Sequence, residues 1–139
     1  MYTTRQDVKA YIPEEFLLQA LTDDAGSAEE TPGIWESVLA VAEAEVDGYL
    51  GARFAVPFDP VPDVVRMASL LFVAEALYAR RGSYGSANPF TARADAMRTK
   101  LERIGRGEEP LTYGAPTGRT SVMVISEDAA GVSRYGFNS

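Results

Sequence analysis

Apolar residues recur every three or four positions along most of the chain before the C-terminal quarter, a period that predicts α-helices. Thr4 and Asp7 have the spacing of a capping box and predict a helix that starts there. Pro13 cannot continue that helix but suits the first turn of another, so a second short helix is predicted over Glu14–Leu21. Thr22–Gly33 has no apolar period and is predicted to be a loop.

A longer helix is predicted from Ile34 to about Arg53. Its apolar stripe consists of Ile34, Val38, Val41, Ala42 and Tyr49. The acids expected on the opposite side, which should face water or a basic partner, are Glu36, Glu43 and Asp47. Glu45 falls within the apolar stripe. Because a buried charge is costly unless it is paired, we expect Glu45 to contact Arg53 or Arg66.

A proline-rich connection leads into Asp63–Arg81, which is apolar on almost every side. The apolar residues of this segment are Val64, Val65, Met67, Leu70, Leu71, Phe72, Val73, Leu77 and Tyr78. A helix without a polar face is either central in its own domain or covered by neighbouring subunits. The sequence leaves both alternatives open.

The last predicted helix starts at Asn88 and Pro89, an N-cap followed by a first-turn proline. Its apolar stripe is formed by Phe90, Ala94, Met97, Leu101 and Ile104. Gly105 and Gly107 are typical of helix ends and predict where this helix stops.

The C-terminal segment differs from the rest because Thr120–Ser126 holds a short β-branched run, which predicts a strand. A lone strand lacks ladder partners, so this segment is either a mobile arm or completes a sheet with another copy or another protein. We favour the second alternative. The predicted fold is all-α: a small bundle of about four to five helices over residues 1–107, then an extended C-terminal arm over residues 108–139.

Composition excludes several kinds of site. The sequence contains no His and no Cys, which excludes Ser-His-Asp triads, Cys nucleophiles, structural zinc sites and disulfides. Asp23 and Asp24 begin an acidic loop, but the residues after them lack the alternating oxygen ligands of a calcium loop. We therefore expect no metal, no cofactor and no catalytic residue. We also expect no membrane span, because no stretch is long and apolar enough.

Charge is distributed unevenly. The chain has 13 basic and 20 acidic residues, a net charge of −7, which argues against proteins that coat duplex DNA. Residues 1–50 carry 2 basic and 11 acidic side chains, whereas residues 51–107 carry 9 basic and 5 acidic ones. These opposite balances could be neutralised within the domain, by a partner or by a second copy.

Several segments are distinctive in their residues and order, and the one at Glu45–Phe54 runs from an acid through Tyr-Leu to Arg with an aromatic residue, before a proline turn into a hydrophobic helix. They are Tyr2–Val8, Leu21–Asp23, Glu45–Phe54, Val56–Pro57 and Val64–Arg81, with a weaker match at Tyr135–Phe137. In this order they resemble the small helical virion proteins of Mu-like and other tailed phages and prophages. That family is grouped with head–tail connector, or head-completion, proteins. The resemblance covers about residues 2–107, and the long 22–33 loop and the extended tail depart from the family pattern.

The resemblance implies an all-α virion protein without enzymatic activity, found in the virion and, during assembly, in the host cytoplasm. It implies a ring, typically of about twelve copies, beneath the portal protein. The ring would join the head to a tail or stopper protein, and packaged DNA would pass through it without specific binding. By the same resemblance, Asp47, Tyr49 and Arg53 would orient the long helix and the turn after it.

A ring requires one surface of a subunit to meet a different surface of the next. Our hypothesis for that oligomer interface names the residues Glu36, Glu43, Arg66, Arg80, Arg81, Val122 and Val124. One rival hypothesis is a small helical DNA-binding or regulatory module that uses Arg93, Arg98, Lys100, Arg103 and Arg106. Another rival, a carboxylate hydrolase built on Glu36, Glu43 and Asp47, is disfavoured because nothing on an exposed helix face would raise a carboxyl pKa.

Overall fold

Five α-helices form the part of the chain that this computed structural model describes, residues 1–23, 29–112 and 122–123. The helices are α1 (Arg5–Lys9), α2 (Glu14–Ala20), α3 (Ile34–Leu50), α4 (Asp63–Arg80) and α5 (Thr91–Gly105). A 3-10 turn covers Gly85–Ala87, and two short strands are β1 (Leu111–Thr112) and β2 (Val122–Met123). The predicted all-α class is confirmed.

The first helix begins with the predicted capping box. The Thr4 hydroxyl accepts from the backbone N–H of Asp7 at 3.1 Å, and the Asp7 carboxylate accepts from the backbone N–H of Thr4 at 3.0 Å. Pro13 is the N-cap of α2 and not a first-turn residue, so α2 runs over Glu14–Ala20. These local signals place the starts of both helices to within one residue.

The central element is α4, which packs against α1, α2, α3, α5 and β1. Its buried residues are Val65, Ala68, Ser69, Leu70, Leu71, Phe72, Val73, Ala74 and Leu77. Of the two alternatives left open for this helix, the structure shows the first: it is central in its own domain. Four other helices are enough to surround it, so α4 does not have to be covered by neighbouring subunits.

The buried face of α3 is rotated relative to the predicted stripe. Its buried residues are Ile34, Trp35, Leu39, Ala42, Val46 and Leu50. Val41 was predicted to be apolar core and is 67% exposed, so that prediction is wrong. Val41 lies about 100° round the helix from Ala42 and therefore points away from α4 and α5. The helix ends at Leu50 and not near Arg53, and Gly51 is its C-cap.

The predicted stripe of α5 is confirmed, since Phe90, Ala94, Leu101 and Ile104 are buried and Met97 packs against the core. The predicted N-cap is wrong, because α5 starts at Thr91 and its N-cap is Phe90. The side chain of Asn88 instead organises the preceding turn, as described below.

The short strands pair with each other. β1 and β2 are antiparallel, with Leu111 opposite Met123 and Thr112 opposite Val122. The predicted strand at 122–123 thus has a ladder partner in its own chain, whereas we expected one from another copy or protein. A two-residue strand leaves no periodic signal, which is why Leu111–Thr112 was not predicted. Leu111 is 1% exposed and contributes to the same core as the helices, so that core extends beyond residue 107.

Candidate functional site

Tyr2 joins the N-terminal segment to α3 and to the connection that follows α3. Its hydroxyl donates to Asp47 Oδ1 at 2.6 Å and accepts from the backbone N–H of Phe58 at 3.0 Å. Its ring packs against the Phe58 ring, and its backbone N–H donates to the Glu43 carboxylate. Burial and the hydrogen bond to Asp47 raise the pKa of Tyr2 to about 12.

For Glu43 and Asp47 the prediction of a water-facing side is wrong. Both carboxylates are half-buried beneath the N-terminal segment, whereas Glu36 is exposed as expected. Tyr2 lies 41 and 45 positions away from these acids, so no local pattern could reveal the contact. Their oxygens hold Tyr2 in place, which leaves Glu36 as the exposed member of the three acids.

Tyr49 lies at a close approach of α3 and α5. A Cβ atom placed on Gly105 would stand 2.3 Å from the backbone oxygen of Tyr49, so only glycine fits at position 105. The Tyr49 side chain is half-buried, and burial raises its pKa, with the carboxylate of Glu45 adding to the effect. Tyr49 thus marks the contact between the ends of two helices.

Arg53 connects the turn after α3 to the turn after α5. Its guanidinium stacks over the Phe54 ring at 5.5 Å. A Cβ atom on Gly107 would lie 2.5 Å from Arg53 Nη1, and Gly107 has φ +82°, so both space and backbone conformation require glycine there. Asp47, Tyr49 and Arg53 therefore all contact elements outside α3.

Arg98 ties together α3, α4 and α5. Its Nε donates to Glu45 Oε2 at 2.6 Å, one Nη donates to Glu75 at 2.6 Å, and the other donates to Asp95 at 2.7 Å. The guanidinium also lies 4.7 Å from the centre of the Phe72 ring. These hydrogen bonds, led by the one to Glu45, raise the pKa of Arg98 well above its usual range.

The expected ion pair of Glu45 with an arginine is present, but the expected partner is wrong. Arg98 occupies that position, and neither Arg53 nor Arg66 pairs with Glu45. Sequence separation explains the error, because only the packing of α5 on α3 brings residues 45 and 98 together. The apolar periodicity of α5 predicted a buried face but not which helix it would face.

The basic residues of α5 are largely engaged within the chain. Arg98 is engaged as described above. Lys100 and Arg103 both donate to the Glu109 carboxylate, Arg103 at 3.2 Å. Arg106 pairs with Glu102 and Glu108. Arg93 differs, since it makes no ion pair with any described residue and stacks over the Phe90 ring at 4.8 Å.

The residues of the oligomer-interface hypothesis have different surroundings. Glu36, Arg66 and Arg81 are exposed and form no ion pair within the described ranges. Arg80 donates to the backbone oxygen of Ala20 at 2.7 Å and pairs with Asp23, while Glu43 holds Tyr2. The backbone of Val122 pairs with Thr112, and Val124 lies outside the described residues.

The described residues lack two further kinds of site or segment. No group of three or more His, Cys, Asp or Glu side chains is placed to hold a metal ion in this part of the chain. Among the helices described above, none has the length and apolar character needed to cross a membrane.

Comparison with known proteins connects this architecture to a phage family. The family described as Bacteriophage Mu, Gp36 matches residues 2–123, which include all five helices and both short strands. A search of curated proteins found no match. Because the family match covers most of the sequence, this chain belongs to the Bacteriophage Mu, Gp36 family.

Proposed function

We propose that the protein is a non-enzymatic structural subunit of a phage particle, a head–tail connector that forms a ring between the portal protein and the tail or a stopper protein. The observation that carries this proposal is the family match over residues 2–123. The connector role itself comes from the resemblance of the helical segments to head-completion proteins. In this role the ring holds about twelve copies, and the packaged DNA passes through it.

The charged surface supports an assembly role. Ion pairs within the chain engage most of its cations, yet Glu36 on α3 and Arg66 and Arg81 at the two ends of α4 remain exposed and unpaired among the described residues. A subunit with acidic and basic residues at different places on its surface can make head-to-tail contacts, which is the contact type that closes into rings. α4 itself gives no support, because it is buried within the domain.

The rival DNA-binding hypothesis finds less support in this surface. Four of its five cations already pair with carboxylates of the same chain, namely Arg98, Lys100, Arg103 and Arg106. Duplex-binding proteins typically neutralise about six to ten phosphates, and a net charge of −7 opposes such binding. A connector with this net charge would let DNA pass without retaining it.

The test is removal of the gene from its phage, followed by electron microscopy of the particles. If the protein is a connector, its loss is expected to leave heads and tails that assemble separately and do not join. Expression of the intact protein in trans should restore joined particles. Particles without the protein that still carry tails and retain their DNA would contradict the proposal. Strong salt-dependent duplex binding by the purified protein would instead favour the rival.

A further inference from the structure

The end of the molecule where α4 stops and α5 starts presents a basic, aromatic surface. Arg81, Tyr84 and Arg93 are exposed there, and Tyr84, at 69%, is the most exposed aromatic side chain of the described residues. We propose that this Arg81–Tyr84–Arg93 surface binds the acidic surface at the start of α3, around Glu36, in a second copy of the chain. The inference rests on the proposed ring and specifies which surfaces meet in it.

A chain of contacts holds the three residues at one end of the molecule. The backbone N–H of Arg81 donates to Tyr78 O at 3.0 Å, and the Tyr78 ring lies 5.5 Å from the Phe90 ring. The guanidinium of Arg93 stacks over the same Phe90 ring at 4.8 Å. Tyr84 belongs to the loop between Arg81 and Phe90.

The loop that carries Tyr84 is built around a buried amide. Asn88 is 5% exposed, and its Nδ2 donates to the backbone oxygens of Glu75 at 3.0 Å and Ser83 at 3.2 Å. Its Oδ1 accepts from the backbone N–H of Phe90 at 3.0 Å. The loop is therefore fixed at both ends, so an exposed tyrosine on it would lose little conformational entropy on binding.

The sequence interval that carries this surface is basic. The sequence holds no acid between Glu75 and Asp95, and the arginines in that interval are Arg80, Arg81 and Arg93. Arg80 is paired with Asp23, whereas Arg81 and Arg93 make no ion pair with any residue that the structure describes. The first turn of α5 contains no acid, and its N-cap makes no side-chain hydrogen bond, so the helix dipole adds to the positive potential.

The acidic occupant is present on the same chain. Glu36 is exposed in the first turn of α3, next to the pair that Arg5 forms with Glu30. Most acids of residues 1–50 are engaged within the chain, whereas Glu36 makes no ion pair with a described residue, so it can attract Arg81 and Arg93 of a second copy. Tyrosine and arginine are also the residues enriched where protein interfaces bind most strongly.

A nucleic acid is a poorer occupant of this surface. Two free arginines fall short of the about six to ten phosphate contacts of duplex binders, and the acid-rich remainder of the chain would repel the backbone. Because the two proposed surfaces consist of different residues, their contact is heterologous and repeats from copy to copy. Such contacts build rings when the rotation closes.

The first test is cysteine cross-linking, which is clean because the natural chain has no Cys. Purified Tyr84→Cys and Glu36→Cys chains are mixed at high concentration without portal protein and oxidised. We expect a mixed disulfide dimer, with at least a tenfold smaller yield when Gly48→Cys, exposed about 18 Å farther along α3, replaces Glu36→Cys. Equal yields for both mixtures, or no dimer, would overturn the inference.

The second test is charge reversal, measured by ring assembly on the portal and by folding. The double variant Arg81→Glu/Arg93→Glu should stay folded but lose ring assembly at least tenfold. Arg106→Glu is the matched control, because Arg106 is also an exposed arginine but lies about 20 Å from Arg93 along α5. Adding Glu36→Arg to the double variant should restore assembly.

The outcomes separate this inference from the proposed function. If the wild-type protein and the double variant form rings equally well, the inference is overturned and the connector proposal is kept. Rings that form normally but no longer attach tails would assign the surface to another protein and so overturn it too. If wild-type protein forms no ring on the portal, the connector proposal fails, and the cross-linking result alone decides whether the two surfaces meet.

Discussion

The hydroxyl of Tyr2 donates to the carboxylate of Asp47 at 2.6 Å across 45 positions of sequence. The same hydroxyl accepts from the backbone N–H of Phe58, so one phenol oxygen links the N-terminal segment, α3 and the connection to α4. The stability of the fold should therefore depend on the Tyr2 hydroxyl.

Replacing Tyr2 with Phe removes the hydroxyl and leaves a half-buried carboxylate and a buried N–H without that partner. We expect the free energy of unfolding to fall by about 2 kcal/mol, since hydrogen bonds to charged groups contribute more than neutral ones. Urea denaturation followed by circular dichroism measures the change. Tyr84→Phe is the matched control, because Tyr84 is 69% exposed, and it should change stability by less than about 0.5 kcal/mol. Equal effects of the two substitutions would contradict the role of the Tyr2 hydroxyl.

The same tyrosine predicts how stability depends on alkaline pH. The pKa of Tyr2 is about 12 in the folded protein against an ordinary value of 10.0, mainly because of burial. A raised pKa means that the folded state favours the neutral phenol, so this stabilisation is complete below pH 10 and is lost as the pH rises toward 12. Unfolding measured between pH 9 and pH 12 should show a steeper loss for wild type than for Tyr2→Phe. Identical slopes would show that Tyr2 ionises normally.

Replacing Arg98 with Met removes the cation that three carboxylates share. Glu45, Glu75 and Asp95 would then repel one another at the junction of three helices. The side chain is 26% exposed, which screens the effect, so we expect a loss of about 2 kcal/mol in the free energy of unfolding. Arg66→Met serves as the control and should be nearly neutral. A neutral Arg98→Met would mean that the cluster does not stabilise the fold.

Two glycine-to-alanine substitutions should have opposite effects. A Cβ atom on Gly105 would stand 2.3 Å from the Tyr49 backbone oxygen, so Gly105→Ala should destabilise by about 1–3 kcal/mol. A Cβ atom on Gly48, in the interior of α3, meets no described atom within 4 Å. Gly48→Ala should therefore stabilise by about 0.5–1 kcal/mol through its better helix propensity. Thermal unfolding of both variants checks the signs, and a stabilising Gly105→Ala would contradict the close approach of α3 and α5.

Leu111 tests whether the core extends past residue 107. Its side chain is almost fully buried, so Leu111→Ala should lower the free energy of unfolding by about 3 kcal/mol. Thr112→Ala, at the exposed neighbour, should be close to neutral. Urea denaturation of both variants provides the comparison. If Leu111→Ala were as mild as Thr112→Ala, the residues after 107 would not belong to the folded core.

Sequence signals predicted those features of the helices that depend on residues close together in the chain. The capping box of Thr4 and Asp7 and the stripe of α5 were both confirmed, because each depends on residues within one or a few helical turns. Predictions failed where the deciding partner is remote. Val41 was assigned to the core because the period shows that a helix has a buried face but locates that face only approximately.

For the charged residues as well, the sequence predicted a need for a partner but not which residue would meet it. The sequence predicted that Glu45 needs an arginine, yet the choice of Arg98 depends on how α5 packs against α3. It predicted Glu43 and Asp47 as acids for water or a partner, and Tyr2 engages both. Tyr84 and Arg93 are joined into one surface only by the turn that Asn88 holds.

The sequence by itself determined the helical class, the starts of α1 to α4, the absence of His and Cys chemistry and the uneven charge, because these depend on composition and on short-range periodicity. Only the tertiary structure decided which charges are neutralised within the chain and which stay exposed. The physical reason is that ion pairs and burial depend on distances between elements far apart in sequence. Packing of the four other helices around α4 sets those distances, and it leaves Arg81, Tyr84 and Arg93 together at one end.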